Sequence, residues 1–176
     1  MDVELDGAPW RRLPVGVVIR AELMVGRTLD RETARTLGRE LRRSGALVRA
    51  TRALAARDRS RRALDDRLAA AGVPAEPRRE VLEILEDAGL VDDARFAAGR
   101  AAALAERGHG DTAIRFDLER QGVPDELIQE ALTALEPERE RAKRLADQRG
   151  RGVKTARWLA GRGFEPDTVE EVAGEA

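Results

Sequence analysis

Three glycines constrain this chain more than any other feature of its sequence. Gly72, Gly122 and Gly163 each follow the last apolar residue of a helix-like stretch, where a left-handed residue is cheap. Four residues before each stands a leucine: Leu68, Leu118 and Leu159. The next residue after each is apolar (Val73, Val123, Phe164), and so is the ninth (Val81, Ala131, Val172). Eighteen residues upstream come Leu54, Leu104 and Leu145, and the first two frames share a proline two residues on, Pro74 and Pro124. The glycines lie 50 and 41 residues apart, so the frame is ungapped inside each unit and the connectors vary. This is an internal repeat.

Each unit reads as three helices, over roughly 46–88, 92–135 and 137–174. Gly89, Gly108 and Pro137 mark further helix ends, and Asp92 and Asp111 are N-cap candidates. Charged residues make up 37% of the chain and aromatic residues 3%, which suits small stacked units better than one bulky core. The predicted fold class is mainly α: three tandem three-helix repeats in an extended, curved array, preceded by a short β element and a helix. The expected domains are an N-terminal extension at 1–45 and repeats at 46–90, 91–136 and 137–176. Such a body offers a long surface to a partner rather than a small-molecule pocket.

The N-terminal extension follows a different rhythm. Leu13, Val15, Val17, Ile19, Ala21, Leu23 and Val25 are apolar at strict period two, the pattern of a half-buried strand. Val3-Glu4-Leu5 before Asp6-Gly7 is a candidate hairpin arm against it. From Asp30, a candidate N-cap, the period becomes helical, with one helix expected to end near Gly45 and a second to run over about 46–57. Ser60 then caps a helix that stops at Gly72.

The net charge of −1 conceals blocks of alternating sign. Residues 1–9 sum to −3, 10–62 to +10, 63–137 to −9, 138–163 to +6 and 164–176 to −5. Such blocks can steer a partner of complementary field, or they can be solvated helix faces. The acidic middle would be repelled by phosphates, so contact with nucleic acid along the whole length is not expected. The chain has no cysteine, no 18-residue apolar run and no charged-then-apolar leader. A cytoplasmic protein with no membrane contact is the expectation.

Four blocks carry a family resemblance. RDRSRRALDDRLAAAGV (57–73), GLVDDARFA (89–97), ERGHGDTAIRFDLERQGVPDELIQEAL (106–132) and ARWLAGRGFEPDTVEEV (156–172) resemble, in order and register, the repeat blocks of the RecX family. The match covers about 45–174, while the first 44 residues match only loosely. The resemblance implies a regulator that lies along the groove of RecA filaments, and a monomer is the expectation. It would limit filament growth, strand exchange, ATP hydrolysis and co-protease activity in DNA repair, recombination and the SOS response. Ser60, Gly72, Asp92, Asp93, Phe96, Gly122 and Gly163 are the residues that mark it.

Candidate partner contacts are Arg57, Arg59, Arg62, Arg107, His109 and Arg115. A guanidinium suits acidic residues or phosphate, yet Ser60 can simply cap while its flanking arginines, Arg61 included, pair with Asp58, Asp65 and Asp66. Arg61 and Arg62 gain nothing from the helix dipole at a helix start, which favours an external partner. Asp92 and Asp93 suit a helix start, and Phe96 suits a core position between units. His109 sits in an Arg-Gly-His-Gly turn; it is the only histidine and has no companion ligands for a metal. Arg141, Arg144, Arg149, Arg151, Lys154 and Arg157 form a second, basic set for single- or double-stranded DNA, with Lys143 among them and Trp158 beside it as a core candidate. Aromatic stacking platforms are nearly absent. Neither Gly108-His-Gly110 nor the 150–155 stretch has the context of a nucleotide loop, so no cofactor is expected. No nucleophile–base set is legible, and the expectation is a protein that is not an enzyme. The competing class is a helical DNA-binding protein using the basic N-terminal third and residues 139–162.

Overall fold

A computed structural model describes residues 1–174; the last two residues of the third predicted repeat, 175–176, lie outside the described residues. The order of elements is β1 (Asp2–Leu5), β2 (Ala8–Arg12), α1 (Val15–Arg20), α2 (Arg31–Ala56), α3 (Arg61–Ala70), α4 (Ala75–Asp87), α5 (Asp93–Glu106), α6 (Asp111–Arg120), α7 (Asp125–Thr133), α8 (Glu138–Arg149), α9 (Val153–Gly161) and α10 (Pro166–Gly174). The fold is mostly helical, as the repeat frame predicts, with a two-stranded sheet at the N-terminus. The chain divides into two compact units: residues 1–57 with 64–90, and residues 58–63 with 91 onward.

The same left-handed turn recurs at all three glycines of the frame. Gly72, Gly122 and Gly163 have φ of +75°, +75° and +77°. After each, the apolar residue's N–H reaches back to the leucine carbonyl five residues earlier: Val73 to Leu68 and Val123 to Leu118 at 3.1 Å, Phe164 to Leu159 at 3.2 Å. Those carbonyls lack a partner once the helix ends, and the left-handed glycine turns the chain so that they are met. The three leucines and their apolar followers are all buried.

In the first unit the N-terminal segment departs from expectation. The turn at Asp6-Gly7 is present, with φ of +53° and +79°, but it joins β1 to β2 rather than to residues 13–25. Residues 13–25 form no strand; they hold α1. Pro14 brings no N–H for a sheet ladder and stands at the helix N-cap. Leu13, Val17 and Ala21 recur every four residues, so the period-two run contains a helical stripe. Those three are buried with Val18 and Leu37, while Val15 and Ile19 are 56% and 68% exposed.

α2 is a single 26-residue helix that passes through Gly38 and Gly45. The expected break at Gly45 does not occur. A mid-helix glycine costs about 1 kcal/mol against alanine, and packing on both sides outweighs it: Leu37 is buried with α1, and Ala46, Ala50 and Ala53 are buried on the half that follows Gly45. α2 packs against both α1 and α4. Buried Glu40 receives Arg20 at 2.6 Å and Arg43 at 3.4 Å, and Arg43 also pairs with Glu80 of α4 at 3.3 Å. The expected boundary between residues 45 and 46 therefore falls inside a continuous helix.

Caps follow the sequence in part. Asp30 accepts from the Thr33 N–H at 2.8 Å and Asp92 from the Arg95 N–H at 2.9 Å. Asp111 is not the N-cap of α6; Gly110 is, and Asp111 is the first helical residue. In the second unit α5, α6 and α7 enclose Ala97, Ala101, Leu104, Ile114, Leu118 and Ile128. α8, α9 and α10 enclose Ala142, Ala146, Leu159 and Phe164.

Candidate functional site

The residues that carry the family resemblance turn out to build one joint twice. Ser60 is fully buried; its Oγ accepts from the Ala63 N–H at 3.1 Å and donates to the Gln121 carbonyl at the end of α6. The Asp93 carboxylate, from the first residue of α5, accepts the Arg61 N–H at 2.7 Å. The pattern recurs around Gly163. The Gly110 N–H donates to the Arg162 carbonyl at 2.9 Å, and Thr112 to the Gly163 carbonyl at 3.1 Å. Glu138, first residue of α8, accepts the Asp111 N–H at 2.6 Å. In both, a carboxylate that opens one helix satisfies the bare N–H that opens another. Gly122 lies under the stem of Arg62, and a Cβ on Gly163 would come within 2.6 Å of the Ala113 side chain. Ser60, Asp93, Gly122 and Gly163 are thus architectural, and Phe96 packs half-buried against the α5–α7 core.

Among the predicted partner contacts, Arg57 is exposed at the end of α2 and Arg59 is half-buried. Arg62 is exposed, with its stem over Gly122. Arg115 pairs with the exposed Asp125 at 2.7 Å and donates to Gln129 at 2.6 Å. Arg107 and His109 flank Gly108 in the turn between α5 and α6, Arg107 exposed and His109 half-buried. Burial holds the His109 imidazole below its usual pKa, and the Arg162 and Arg107 cations push it the same way.

The basic set on α8 and α9 is divided by the structure. Arg141 is 3% exposed and belongs to the interior: it donates to the Glu136 carbonyl at 2.9 Å, to the His109 carbonyl at 2.9 Å and to the Asp111 carboxylate. A guanidinium so occupied is not offered to an external phosphate. Arg144 pairs with Glu136, and Arg151 with Asp147 at 3.2 Å. Lys154 and Arg157 are exposed. Arg149 lies over the ring of Trp158, 4.2 Å from its centroid, and Arg162 lies 4.9 Å from the same centroid. Trp158 itself is half-buried against the α8–α10 core.

Sequence reasoning missed two features. Arg162 joins Arg149 over one tryptophan, beside the turn that carries Arg107 and His109, an arrangement of residues up to 55 apart that only packing creates. The other is a row on α2. Arg31, Arg35, Arg42 and Arg49 are spaced 4, 7 and 7 residues apart, which at 100° per residue places them within about 40° of one line over about 27 Å. Dividing the helix at Gly45 hides that register. These four and Arg52 are exposed, and among the described residues their guanidinium groups meet no carboxylate. Elsewhere arginines pair closely: Arg100 with Asp117 at 2.8 and 3.0 Å, Arg78 with Asp65 at 2.7 Å. The described residues contain no group of three or more His, Cys, Asp or Glu able to hold a metal ion.

The geometry defines a class: a helical-repeat protein whose distinctive chemistry is exposed, uncompensated arginine. A family model for the second three-helix domain of RecX matches residues 92–132. The regulatory protein RecX of Chromohalobacter salexigens is 39% identical over 137 residues, spanning 72% of this chain and 90% of that relative. That of Acidithiobacillus ferrooxidans is 35% identical, over 75% and 91%. A crystal structure of a regulatory protein RecX superimposes with a TM-score of 0.82 at 24% identity, over 99% of this chain and 92% of that one. The RecX of Lactobacillus salivarius follows with a TM-score of 0.66 at 20% identity, over 76% and 96%. The chain belongs to the RecX family of regulatory proteins.

Proposed function

We propose that this protein binds RecA filaments and restrains their strand exchange, ATP hydrolysis and co-protease activity, acting as a cytoplasmic monomer in DNA repair, recombination and the SOS response. Family membership over most of the chain carries the reading. A protein surface can accept both signs of charge, which suits a chain of alternating blocks. Among the described residues no helix is long and apolar enough to cross a membrane. The reading requires no catalytic group of the protein's own. The test is RecA ATP hydrolysis on single-stranded DNA with substoichiometric protein added. Inhibition far below one-to-one is expected for action on an assembled polymer; no effect at excess overturns the proposal.

A second reading, direct DNA binding through the basic N-terminal third, is favoured by the unpaired arginine row on α2. Binding to bare duplex at physiological salt, without RecA, would select it.

A further inference from the structure

We propose that Arg107, His109, Arg149 and Arg162, gathered around Trp158, form a binding site for a phosphate group. The inference stands apart from the filament reading, because it concerns the isolated protein.

Three observations place these groups together. A Cβ on Gly108, between Arg107 and His109, would touch the Trp158 ring at 3.6 Å. Arg149 and Arg162 lie over that ring at 4.2 and 4.9 Å from its centroid. Arg162 donates to the Arg107 carbonyl at 2.8 Å, tying the end of α9 to the turn after α5. Arg107 and Arg149 are exposed, so the cluster opens to solvent.

Several acids of the helices that carry the cluster are already committed. Asp117 of α6 is held by Arg100 and Arg120, and Asp111 of α6 by Arg141 of α8. Glu136 takes Arg144 and Asp147 takes Arg151. Among the described residues neither Arg107, Arg149, Arg162 nor the His109 ring has a carboxylate or hydrogen-bonding side-chain partner. Helix-end capping accounts for one nitrogen of Arg162 and leaves Arg107 and Arg149 unexplained. Holding like charges together costs free energy that a bound anion returns, and a phosphate accepts from guanidinium and imidazolium donors at once.

His109 supplies the signature. The charges facing it are Arg107 from the end of α5, Arg162 from α9, Asp117 from α6 and Arg141 from α8, whose guanidinium meets its carbonyl. Burial and the first two cations favour the neutral ring; an anion set among them reverses that balance, so binding takes up a proton.

The experiment follows the ring proton resonances of the chain's only histidine through a pH titration, alone, with inorganic pyrophosphate, and with a short oligothymidylate. The pKa of His109 is expected to rise by about one unit when the site is filled, with affinity about tenfold tighter below that pKa than above it. Arg149→Gln and Arg107→Gln should each weaken binding, and His109→Asn should bind without pH dependence. Arg79→Gln, in the other unit, should change nothing. If the oligonucleotide acts where pyrophosphate at equal phosphate concentration does not, the phosphate belongs to a strand; if both act alike, it is a free phosphate compound. An unmoved His109 pKa at saturating levels of both ligands overturns the proposal. So does wild-type affinity in both arginine variants.

Discussion

At the scale of residues, equivalent positions in the repeat differ in what surrounds them. Gly72 and Gly163 share a left-handed backbone, but a Cβ at Gly72 meets open space whereas one at Gly163 would strike Ala113. Gly72→Ala should cost about 1 kcal/mol from backbone conformation alone. Gly163→Ala should cost about 2–4 kcal/mol once overpacking is added. Urea unfolding of the two variants decides it, and equal losses would contradict the packing described. Asp117 makes a pH prediction. The Arg100 hydrogen bonds hold its carboxyl below the ordinary value of 3.8. A depressed folded pKa adds stability that is present above that ordinary value and is lost as pH falls through the lower, folded one. Asp117→Asn should therefore lose about 1–2 kcal/mol at neutral pH, with Arg100 partly open to solvent. Its unfolding free energy should also change less than wild type's between pH 4 and pH 2.

Helices, one level up, show what pattern reading gets right and where it stops. The ends of α3, α6 and α9 were legible because the glycine, the leucine before it and the apolar residue after it lie within six residues of one another. The continuity of α2 was not, because the interactions that outweigh Gly45 come from α1 and α4. Gly45 is exposed with open space around its Cβ position, so Gly45→Ala should stabilise the protein by about 0.5–1 kcal/mol. A higher melting temperature would confirm an unbroken helix there, and a lower one would reject it. The twin carboxylates make a matched pair of predictions. Asp93→Ala and Glu138→Ala each leave a helix-opening N–H without its acceptor and should each cost about 0.5–2 kcal/mol in chemical denaturation.

For the molecule as a whole, the segregated charge is the property most open to measurement. If the row on α2 meets phosphates, replacing Arg31, Arg35, Arg42 and Arg49 by Gln should lower the slope of log affinity against log salt by about 3–4 on duplex DNA. If the partner is RecA protein, the same variant should chiefly slow association, and the salt slope on bare DNA should already be small. The candidate site was only half legible. Arg107, His109 and Arg149 stand out in the sequence, yet the placing of Arg149 and Arg162 over Trp158, beside the turn that carries the other two, needs the turn after α5 to lie beside the end of α9. Arg141 shows the reverse: a basic residue in a basic run that packing withdraws from the surface.

The sequence by itself determined the threefold frame, the helix ends at Gly72, Gly122 and Gly163 and the caps at Asp30, Ser60 and Asp92, because each depends on a few neighbouring residues whose backbone preferences are intrinsic. Tertiary structure alone decided that residues 15–20 are helix, that α2 runs unbroken and that Asp93 and Glu138 serve helices other than their own. In every such case local preference was weak or ambiguous, and burial or hydrogen bonding to residues distant in the chain supplied the larger free energy.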